Sequence, residues 1–493
     1  MRKNNSVIKN IKLVFISQVI VLVASIIRTL LIPKIISVEE HGYWQTYLLY
    51  LSYISIIYLG YNDGIYLRYA KMSKEEIKEK KFSSSFFVFI CISIREMIIG
   101  IMGVCFFTDE PFRTIYMLVI INIPITGIFS TVTYYLQITD RMKVYSVSVI
   151  IQRTLFIACL ISLFVFDFAT PYILMALDLL CLSIVTFFLI IKEREVLMTT
   201  KPDIKTGISE YIQNVKVGIK LMMGTYIALL LTGITRFFVS GVGSLEQFSY
   251  YSFALSITNV VVVCIGTLGV AIYPQIIKRP KELFGYYYNY MCDALNQIKP
   301  FIFLTYYFCY IIIKIILPKY EPALQFLALL FIVVMLQVKI NVINNTYYKL
   351  LRKEKKMLID NLISLIQLVI CCIVIKDINH IIICQIAVLT YRVVKSEYVF
   401  RKELNIKNEY NLINTILPYG IFIISICLDF KIGILICFIY VIIHFIINYK
   451  KIINLIKLFL LNRRGENSNE KNYVTYSRNI IYEFRRFINC KKC

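Results

Sequence analysis

Apolar stretches of about 20 residues recur along most of this chain, with short polar connections between them. A helix of that length matches the hydrocarbon thickness of a bilayer. About fourteen such stretches fit between residues 11 and 449. Because 58% of the 493 residues are hydrophobic, the composition excludes a soluble globular protein. We therefore predict an all-α integral membrane protein with about fourteen transmembrane helices.

Basic residues cluster in every second connection. About 42 of the 54 Lys and Arg residues lie in the connections on one side, and about 5 lie in those on the other. The positive-inside rule makes the basic side cytoplasmic, so we predict a multi-pass protein of the bacterial cytoplasmic (inner) membrane with both termini in the cytoplasm. The net charge of +24 follows from this asymmetry and from contact with anionic lipids. Nothing in the sequence indicates binding to nucleic acid.

The sequence repeats weakly at an offset of about 207 to 213 residues, which corresponds to about six helices. The matching landmarks are Arg28 and Arg236, Glu39 and Glu246, Tyr43 and Tyr250, and residues 133–135 and 346–348. Six is an even number, so both copies start on the cytoplasmic side and are parallel repeats. We predict two parallel six-helix lobes around a central cavity, followed by two C-terminal helices.

The repeat defines the domain boundaries. We predict an N-terminal lobe at 1–195, a cytoplasmic linker at 196–216, a C-terminal lobe at 217–400, two additional helices at 413–449, and a cytoplasmic tail at 450–493. Apolar residues in the tail fall on one helical face with arginines elsewhere, which predicts a basic amphipathic helix lying on the inner leaflet. The apolar residues are Ile480, Ile481, Phe484, Phe487 and Ile488. Docking of a glycosyltransferase partner is the alternative for this helix.

Several cations lie inside predicted spans rather than in the connections. They are Arg28, Arg95, Arg153, Arg236, Lys339 and Arg392. Each costs at least about 2.5–3.5 kcal/mol at the centre of a membrane helix, so we expect them to line a hydrated cavity and to bind substrate. The alternative, that a side chain reaches the membrane surface or pairs structurally, stays open, in particular for Arg392.

The balance of charge inside the spans favours an anionic ligand. Glu96 and Asp178 are the clearest carboxylates there, and guanidinium groups suit phosphate and diphosphate oxygens. Each of these carboxylates either couples transport to a proton or sodium ion or serves as the charge partner of an arginine. Asn341 and Asn345 offer the donors and acceptors that meet sugar hydroxyls, although hydrogen bonds between helices explain them equally well.

The N-terminal region resembles the Wzx-type oligosaccharide flippases of the multidrug/oligosaccharidyl-lipid/polysaccharide (MOP) superfamily. The resemblance rests on an Arg-bearing first span that leads to Ile32-Pro33, the turn EEHGYW at 39–44, the segment NDGI at 62–65 and Arg68. Residues 236–254 resemble the matching turn of the second half. The motifs are loose and cover the chain roughly from the first to the twelfth span.

The resemblance implies a function that the spacing of residues does not. Such proteins move polyprenyl-diphosphate-linked oligosaccharide from the inner to the outer leaflet for surface polysaccharide (O-antigen or capsule) biosynthesis, by alternating access with a cationic cavity. Their functionally important arginine on the first span corresponds to Arg28. The implied partners are the lipid-linked oligosaccharide, membrane lipids, and the polysaccharide polymerase and glycosyltransferases of the same pathway.

Two other function classes remain as alternatives. A multidrug or cation antiporter of the same superfamily would need more intramembrane carboxylates, and a membrane polysaccharide polymerase would need a long outer loop. The sequence contains no GxxxxGK[ST] phosphate loop. His41, His380 and His444 are scattered and form no zinc motif. We therefore expect neither an enzyme nor a bound cofactor or metal.

Overall fold

The computed structural model describes residues 2–70, 72–79, 82–198, 202–277, 280–406 and 412–463, and these residues form helices and no strands. The first half of the chain contains α1 (Arg2–Ile35), α2 (Val38–Leu51), α3 (Tyr61–Tyr69), α4 (Lys74–Glu79), α5 (Phe82–Phe107), α6 (Phe112–Ile138), α7 (Met142–Phe166), α8 (Pro171–Lys192) and α9 (Arg194–Leu197). The second half contains α10 (Ile204–Val242), α11 (Leu245–Ile276), α12 (Phe284–Ile316), α13 (Ala323–Lys339), α14 (Asn345–Leu350), α15 (Glu354–Val374) and α16 (Ile378–Glu403). Two C-terminal helices follow, α17 (Leu412–Ile426) and α18 (Phe430–Arg463).

The prediction of an all-α, multi-pass membrane protein is confirmed. Twelve helices in the described residues are long and apolar enough to cross a membrane. The two other predicted spans are shorter helices, α2 with 14 residues and α17 with 15. After α2 the chain turns through a 3₁₀ segment at Ile54–Tyr58 and then through Leu59 and Gly60, whose φ angles are 48° and 79°. The second predicted span is therefore interrupted before α3.

Equivalent helices in the two halves begin with the same cap. At the start of α2, the Ser37 hydroxyl accepts from the Glu40 amide (3.2 Å) and the Glu40 carboxylate accepts from the Ser37 amide (2.8 Å). At the start of α11, Ser244 and Gln247 make the same reciprocal pair at 3.2 and 3.1 Å. Both are capping boxes, which satisfy donors that a helix N-terminus leaves unpaired. The two boxes are 207 residues apart, within the offset found in the sequence.

Helix packing within the halves follows the same order. In the first half, α1 packs on α7, α2 on α6, and α8 on both α6 and α7. In the second half, α10 packs on α15, α11 on α13, and α16 on both α13 and α15. These four contacts of the first half thus each have a counterpart in the second, as expected for a structural repeat.

The halves meet through α10, which packs on α3 and α5, and through α11, which packs on α2 and α1. A Cβ atom added to Gly64 would lie 1.9 Å from the Asn214 carbonyl oxygen, and one added to Gly218 would lie 1.9 Å from the Gly60 carbonyl oxygen. Because these glycines lack side chains, the backbones of α3 and α10 come into direct contact. Near the start of α2, a Cβ atom on Gly42 would lie 2.6 Å from Leu245 Cγ of α11.

The chain forms two compact units, Met1–Tyr288 with Thr305–Tyr410, and Asn289–Leu304 with Asn411–Cys493. In the second unit the ring of Phe303 stacks on that of Phe422, with centroids 4.4 Å apart. The ammonium of Lys299 donates to Asn296 Oδ1 (2.7 Å). The predicted amphipathic helix of the tail lies outside the described residues.

Candidate functional site

Polar side chains converge inside the first half, on helices whose sequences are otherwise apolar. The Tyr47 hydroxyl of α2 donates to Asp178 Oδ2 of α8 (3.2 Å) and accepts from Asn122 Nδ2 of α6 (3.0 Å). Tyr47 and Asn122 are both fully buried, with 0% and 1% of their surfaces exposed. We call Arg28, Tyr47, Asn122, Arg153 and Asp178 the first-half cluster.

Two arginines act on the carboxylate of this cluster. The charges of Arg28 on α1 and Arg153 on α7 both attract Asp178, and they repel each other. Arg153 Nε is buried and makes no hydrogen bond to the part of the chain that the structure describes. One carboxylate therefore faces two guanidinium groups, and the cluster keeps a net positive charge.

Arg236 of α10 lies between the halves. Its Nη2 donates to the backbone oxygen of Gln45 on α2 (2.9 Å) and to Gln45 Oε1 (2.6 Å), and its Nε donates to Ser252 Oγ (3.3 Å). Its charge also repels that of Arg28. The arginines that the sequence repeat pairs thus lie close enough to act on each other across the two halves.

His41 continues the connection between the halves. Its Nδ1 lies 2.8 Å from Ser249 Oγ of α11, and its Nε2 lies 2.9 Å from Gln45 Nε2, which donates to it. With that acceptor role, the ring is neutral and its Nδ1 proton goes to Ser249. The side chain is 2% exposed. We call His41, Gln45, Arg236 and Ser249 the bridge.

Lys319 adds a further contact between the halves near the bridge. Lys319, between α12 and α13, donates from its ammonium to the backbone oxygen of Ile36 at the end of α1. Burial lowers the pKa of Lys319, and the nearby charge of Glu40 partly offsets this effect. The same end of the two halves is therefore held by polar contacts from α2, α10, α11 and the α12–α13 connection.

The second half contains a polar pocket. Its polar lining consists of Thr232, Gln337, Asn341, Asn345, Asn361 and Arg392. Arg392 is 2% exposed, and its Nη2 donates to Asn361 Oδ1. The pocket is partly open, and three of the residues predicted as substrate-binding line it, Asn341, Asn345 and Arg392. We call it the second-half pocket.

The backbone of this pocket departs from regular helix. Residues Ile340–Asn344 form a π-helical turn between α13 and α14. Such turns are rare and occur frequently at functional sites. The turn itself bears Asn341 and Asn344, and Asn345 follows it directly.

The structure places the other predicted site residues elsewhere. Lys339 donates to Glu397 Oε2 (2.9 Å) in an ion pair that is almost fully buried. Arg95 pairs with its neighbour Glu96, and 63% of the Arg95 side chain is exposed. Among the described contacts, none joins Arg95 or Glu96 to the first-half cluster or to the second-half pocket.

Several residues of these sites were not predicted. Tyr47 and Asn122 carry no distinguishing sequence signal, because tyrosines are abundant and a single asparagine in a span is common. Asn361 follows Asp360 near the start of α15, and both are buried. The rule that identified Asp178, a carboxylate inside an apolar span, would have found Asp360 and with it the adjacent Asn361.

This arrangement defines a class of protein. A multi-pass membrane protein with two repeated halves, guanidinium groups that are buried or half-buried, and an amide-lined polar pocket can bind an anionic, hydroxyl-bearing group within the membrane. Its fold is similar to that of two solved transport proteins. The first is the lipid II flippase MurJ in an inward closed conformation, with a TM-score of 0.67 and 14% sequence identity, which covers 90% of this chain and 99% of that chain.

The second is a multidrug resistance MATE family transporter of the MOP superfamily in an outward-facing conformation. Its TM-score is 0.51 at 11% identity, and the match covers 78% of this chain and 95% of that chain. No protein-family model matches the sequence, and no curated protein matches it either. At these identities the similarity establishes the fold of MOP superfamily transporters.

Proposed function

We propose that this protein is a flippase that moves a polyprenyl-diphosphate-linked oligosaccharide from the inner to the outer leaflet of the cytoplasmic membrane. The observation that carries the proposal is that Arg28 and Arg153 share one carboxylate, Asp178, and that the charge of Arg236 acts on Arg28 from the second half. A diphosphate supplies the negative charge that this group of arginines lacks, and guanidinium groups bind it through paired hydrogen bonds.

The fold supports the same class of activity. The similar solved structures are named as a flippase and a transporter, and neither is an enzyme. The resemblance of the N-terminal region to Wzx-type flippases narrows the substrate from any lipid-linked head group to an oligosaccharide. We accordingly propose that the protein performs no covalent chemistry.

The bridge provides a mechanism by which the substrate opens the protein. Arg236 donates two hydrogen bonds to Gln45 in this conformation. A diphosphate held by Arg28 competes for those donors, because a charged acceptor forms stronger hydrogen bonds than a neutral amide. Once the Arg236 side chain turns to the diphosphate, its contact with Gln45 of α2 is lost. The two halves can then separate at the bridge. The polyprenyl chain stays in the lipid throughout.

A multidrug or cation antiporter is the second candidate, because one of the similar structures is a multidrug transporter. An organic cation requires carboxylates or aromatic faces in its site. The first-half cluster has one carboxylate and two arginines, and the described lining of the second-half pocket contains no carboxylate. The charge therefore favours an anionic substrate.

The test is complementation of a deletion strain with the wild type, Arg28→Gln, Arg236→Gln or Arg113→Gln. Arg113 is a matched control, since it lies at the start of α6 and donates to Thr108 in the adjacent connection. We expect the deletion to lose surface polymer and to accumulate lipid-linked oligosaccharide on the inner leaflet. Arg113→Gln restores export, and the other two variants reduce it at least about tenfold at equal membrane levels.

Two results would count against the proposal. Restoration of full export by both Arg28→Gln and Arg236→Gln would remove these residues from the site. Delivery of unpolymerised oligosaccharide units to the outer face in the deletion strain would identify a polymerase instead of a flippase.

A further inference from the structure

We propose that the second-half pocket binds a sugar of the lipid-linked head group through its side-chain amides, and that it thereby selects which glycan is carried. This inference rests on the proposed function, and it assigns to the second half a role distinct from that of the arginines that hold the diphosphate.

The lining of the pocket has the chemistry of a sugar site. Four carboxamides and one hydroxyl offer neutral donors and acceptors, from Thr232, Gln337, Asn341, Asn345 and Asn361. A carboxamide both donates and accepts, and so does a sugar hydroxyl. A metal ion or an organic cation would instead call for carboxylates.

Buried polar atoms in and beside the pocket lack partners. Arg392 Nε and Asn345 Oδ1 are buried and make no hydrogen bond in the part of the chain that the structure describes. The same holds for both amide atoms of Asn344, whose side chain is 0% exposed. An unpaired buried donor or acceptor is destabilising. Arg392 and Asn345 line the pocket, so a ligand that forms hydrogen bonds to these two side chains gains affinity from them.

The π-helical turn brings three of the amides together. Gln337, Asn341 and Asn345 are spaced four residues apart, and all three line the pocket. In a regular α-helix of 3.6 residues per turn, this spacing drifts progressively around the axis. A π-turn contains more residues than an α-turn, so it reduces the drift and keeps the amides on one side.

The charge of Arg392 is available to the pocket. The acidic residue that acts on Arg392, Asp360 of α15, accepts at Oδ1 from the Lys395 ammonium (2.8 Å) and at Oδ2 from the Tyr348 hydroxyl (2.6 Å). The negative charge of Asp360 thus acts on Arg392, while both of its carboxylate oxygens are paired with other residues. A guanidinium next to amides favours sugar oxygens with high electron density, such as the carbonyl of an acetamido group or a carboxylate.

The pocket adjoins the proposed diphosphate site. Thr232 and Arg236 are four residues apart on α10 and share one face of that helix, about one 5.4 Å turn apart. Arg236 in turn acts on Arg28. A head group whose diphosphate lies at Arg236 therefore places its first sugars within reach of Thr232 and of the amides beyond it.

The experiment measures binding to the full-length protein in nanodiscs. The probes are polyprenyl diphosphate and a panel of its glycosides that carry glucose, galactose, N-acetylglucosamine, N-acetylgalactosamine or glucuronic acid. We expect at least one glycoside to bind about tenfold more tightly than the plain diphosphate. Asn341→Leu and Thr232→Val should each remove most of this increment and leave binding of the plain diphosphate unchanged. Asn448→Leu, the same substitution in α18, serves as the matched control.

The outcomes separate the two proposals. If the wild type binds the plain diphosphate but no glycoside binds more tightly, the pocket proposal is wrong and the flippase proposal stands. An increment that survives both Asn341→Leu and Thr232→Val also overturns it, since the sugar would then be recognised elsewhere. If the wild type binds none of the probes, the proposed function fails, and the role of the pocket fails with it.

Discussion

The Tyr47 hydroxyl donates to the Asp178 carboxylate across 3.2 Å, linking α2 to α8 beside two arginines. Asp178 thus has two roles: it accepts a hydrogen bond, and it offsets the positive charge of Arg28 and Arg153. Substitutions can separate these roles, because asparagine keeps the acceptor but removes the charge.

We expect Asp178→Asn to bind polyprenyl diphosphate at least about threefold more tightly than the wild type, since an anionic ligand no longer faces a carboxylate. Release then slows, and transport falls. Tyr47→Phe retains the charge, so its affinity stays near that of the wild type, while the free energy of unfolding falls by about 1–3 kcal/mol. Titration in nanodiscs and thermal unfolding measure the two effects. Loss of transport in Asp178→Asn at unchanged affinity would instead favour the ion-coupling role.

The hydrogen bond between His41 and Ser249 must break if the two halves separate at the bridge. We expect the double variant His41→Cys/Ser249→Cys, treated with a short thiol-to-thiol crosslinker, to lose transport and to regain it after reduction. Each single variant, treated in the same way, reports any effect of the reagent on the native cysteines. Undiminished transport in the crosslinked double variant would show that this end stays closed during the cycle.

The glycines between α3 and α10 are predicted to be sensitive to one added methyl group. We expect Gly64→Ala to lower the free energy of unfolding by about 1–3 kcal/mol, because its Cβ atom would overlap the backbone of Asn214. Gly103→Ala is the matched control, since its Cβ would meet no described atom within 4 Å. The control should be neutral or slightly stabilising, as alanine favours a helix. Equal thermal stability of the two variants would argue against a close contact between these helices.

Arg68 holds α3 to α10 through its forked side chain. Its Nη2 donates to Glu210 Oε2 (2.9 Å) and Gln213 Oε1 (2.7 Å), and its Nη1 donates to Asn214 Oδ1. Lysine keeps the charge but not the planar fork. We expect Arg68→Lys to lose about 1–3 kcal/mol of the free energy of unfolding, and Arg68→Gln to lose more. If Arg68→Lys is as stable as the wild type, the positive charge alone accounts for the contribution of Arg68 to the free energy of unfolding.

Much of the fold can be predicted from the sequence, because the length and the hydrophobicity of a membrane span are both properties of a continuous stretch of residues. The six-helix repeat is also visible, since landmarks such as Arg28 and Arg236 keep their offset. The interruption after α2 was not predicted. It depends on a left-handed turn at Leu59 and Gly60 inside a stretch that is apolar enough to continue.

The candidate sites were harder to predict, since the rule for charged residues in spans identifies a residue but not the direction it faces. Arg28, Arg153 and Asp178 come together because α1, α7 and α8 pack side by side, whereas Arg95 pairs with the residue next to it. Lys339 was predicted to line the cavity, and it forms an ion pair with Glu397 of α16, which packs on α13. Partners of this kind depend on tertiary packing, which spacing along the chain does not encode.

The matching capping boxes at Ser37 and Ser244 bear on how the two halves of the protein are related. The segments that follow them are equivalents, and they contact each other across the two halves, as the same patch does in a symmetric homodimer. Two copies of a half-length chain would meet through the helix that follows the capping box, as α2 and α11 do here. In the present chain one half holds arginines around a carboxylate and the other holds amides around a π-turn, so the two halves of the repeat differ both in their polar side chains and in their local backbone.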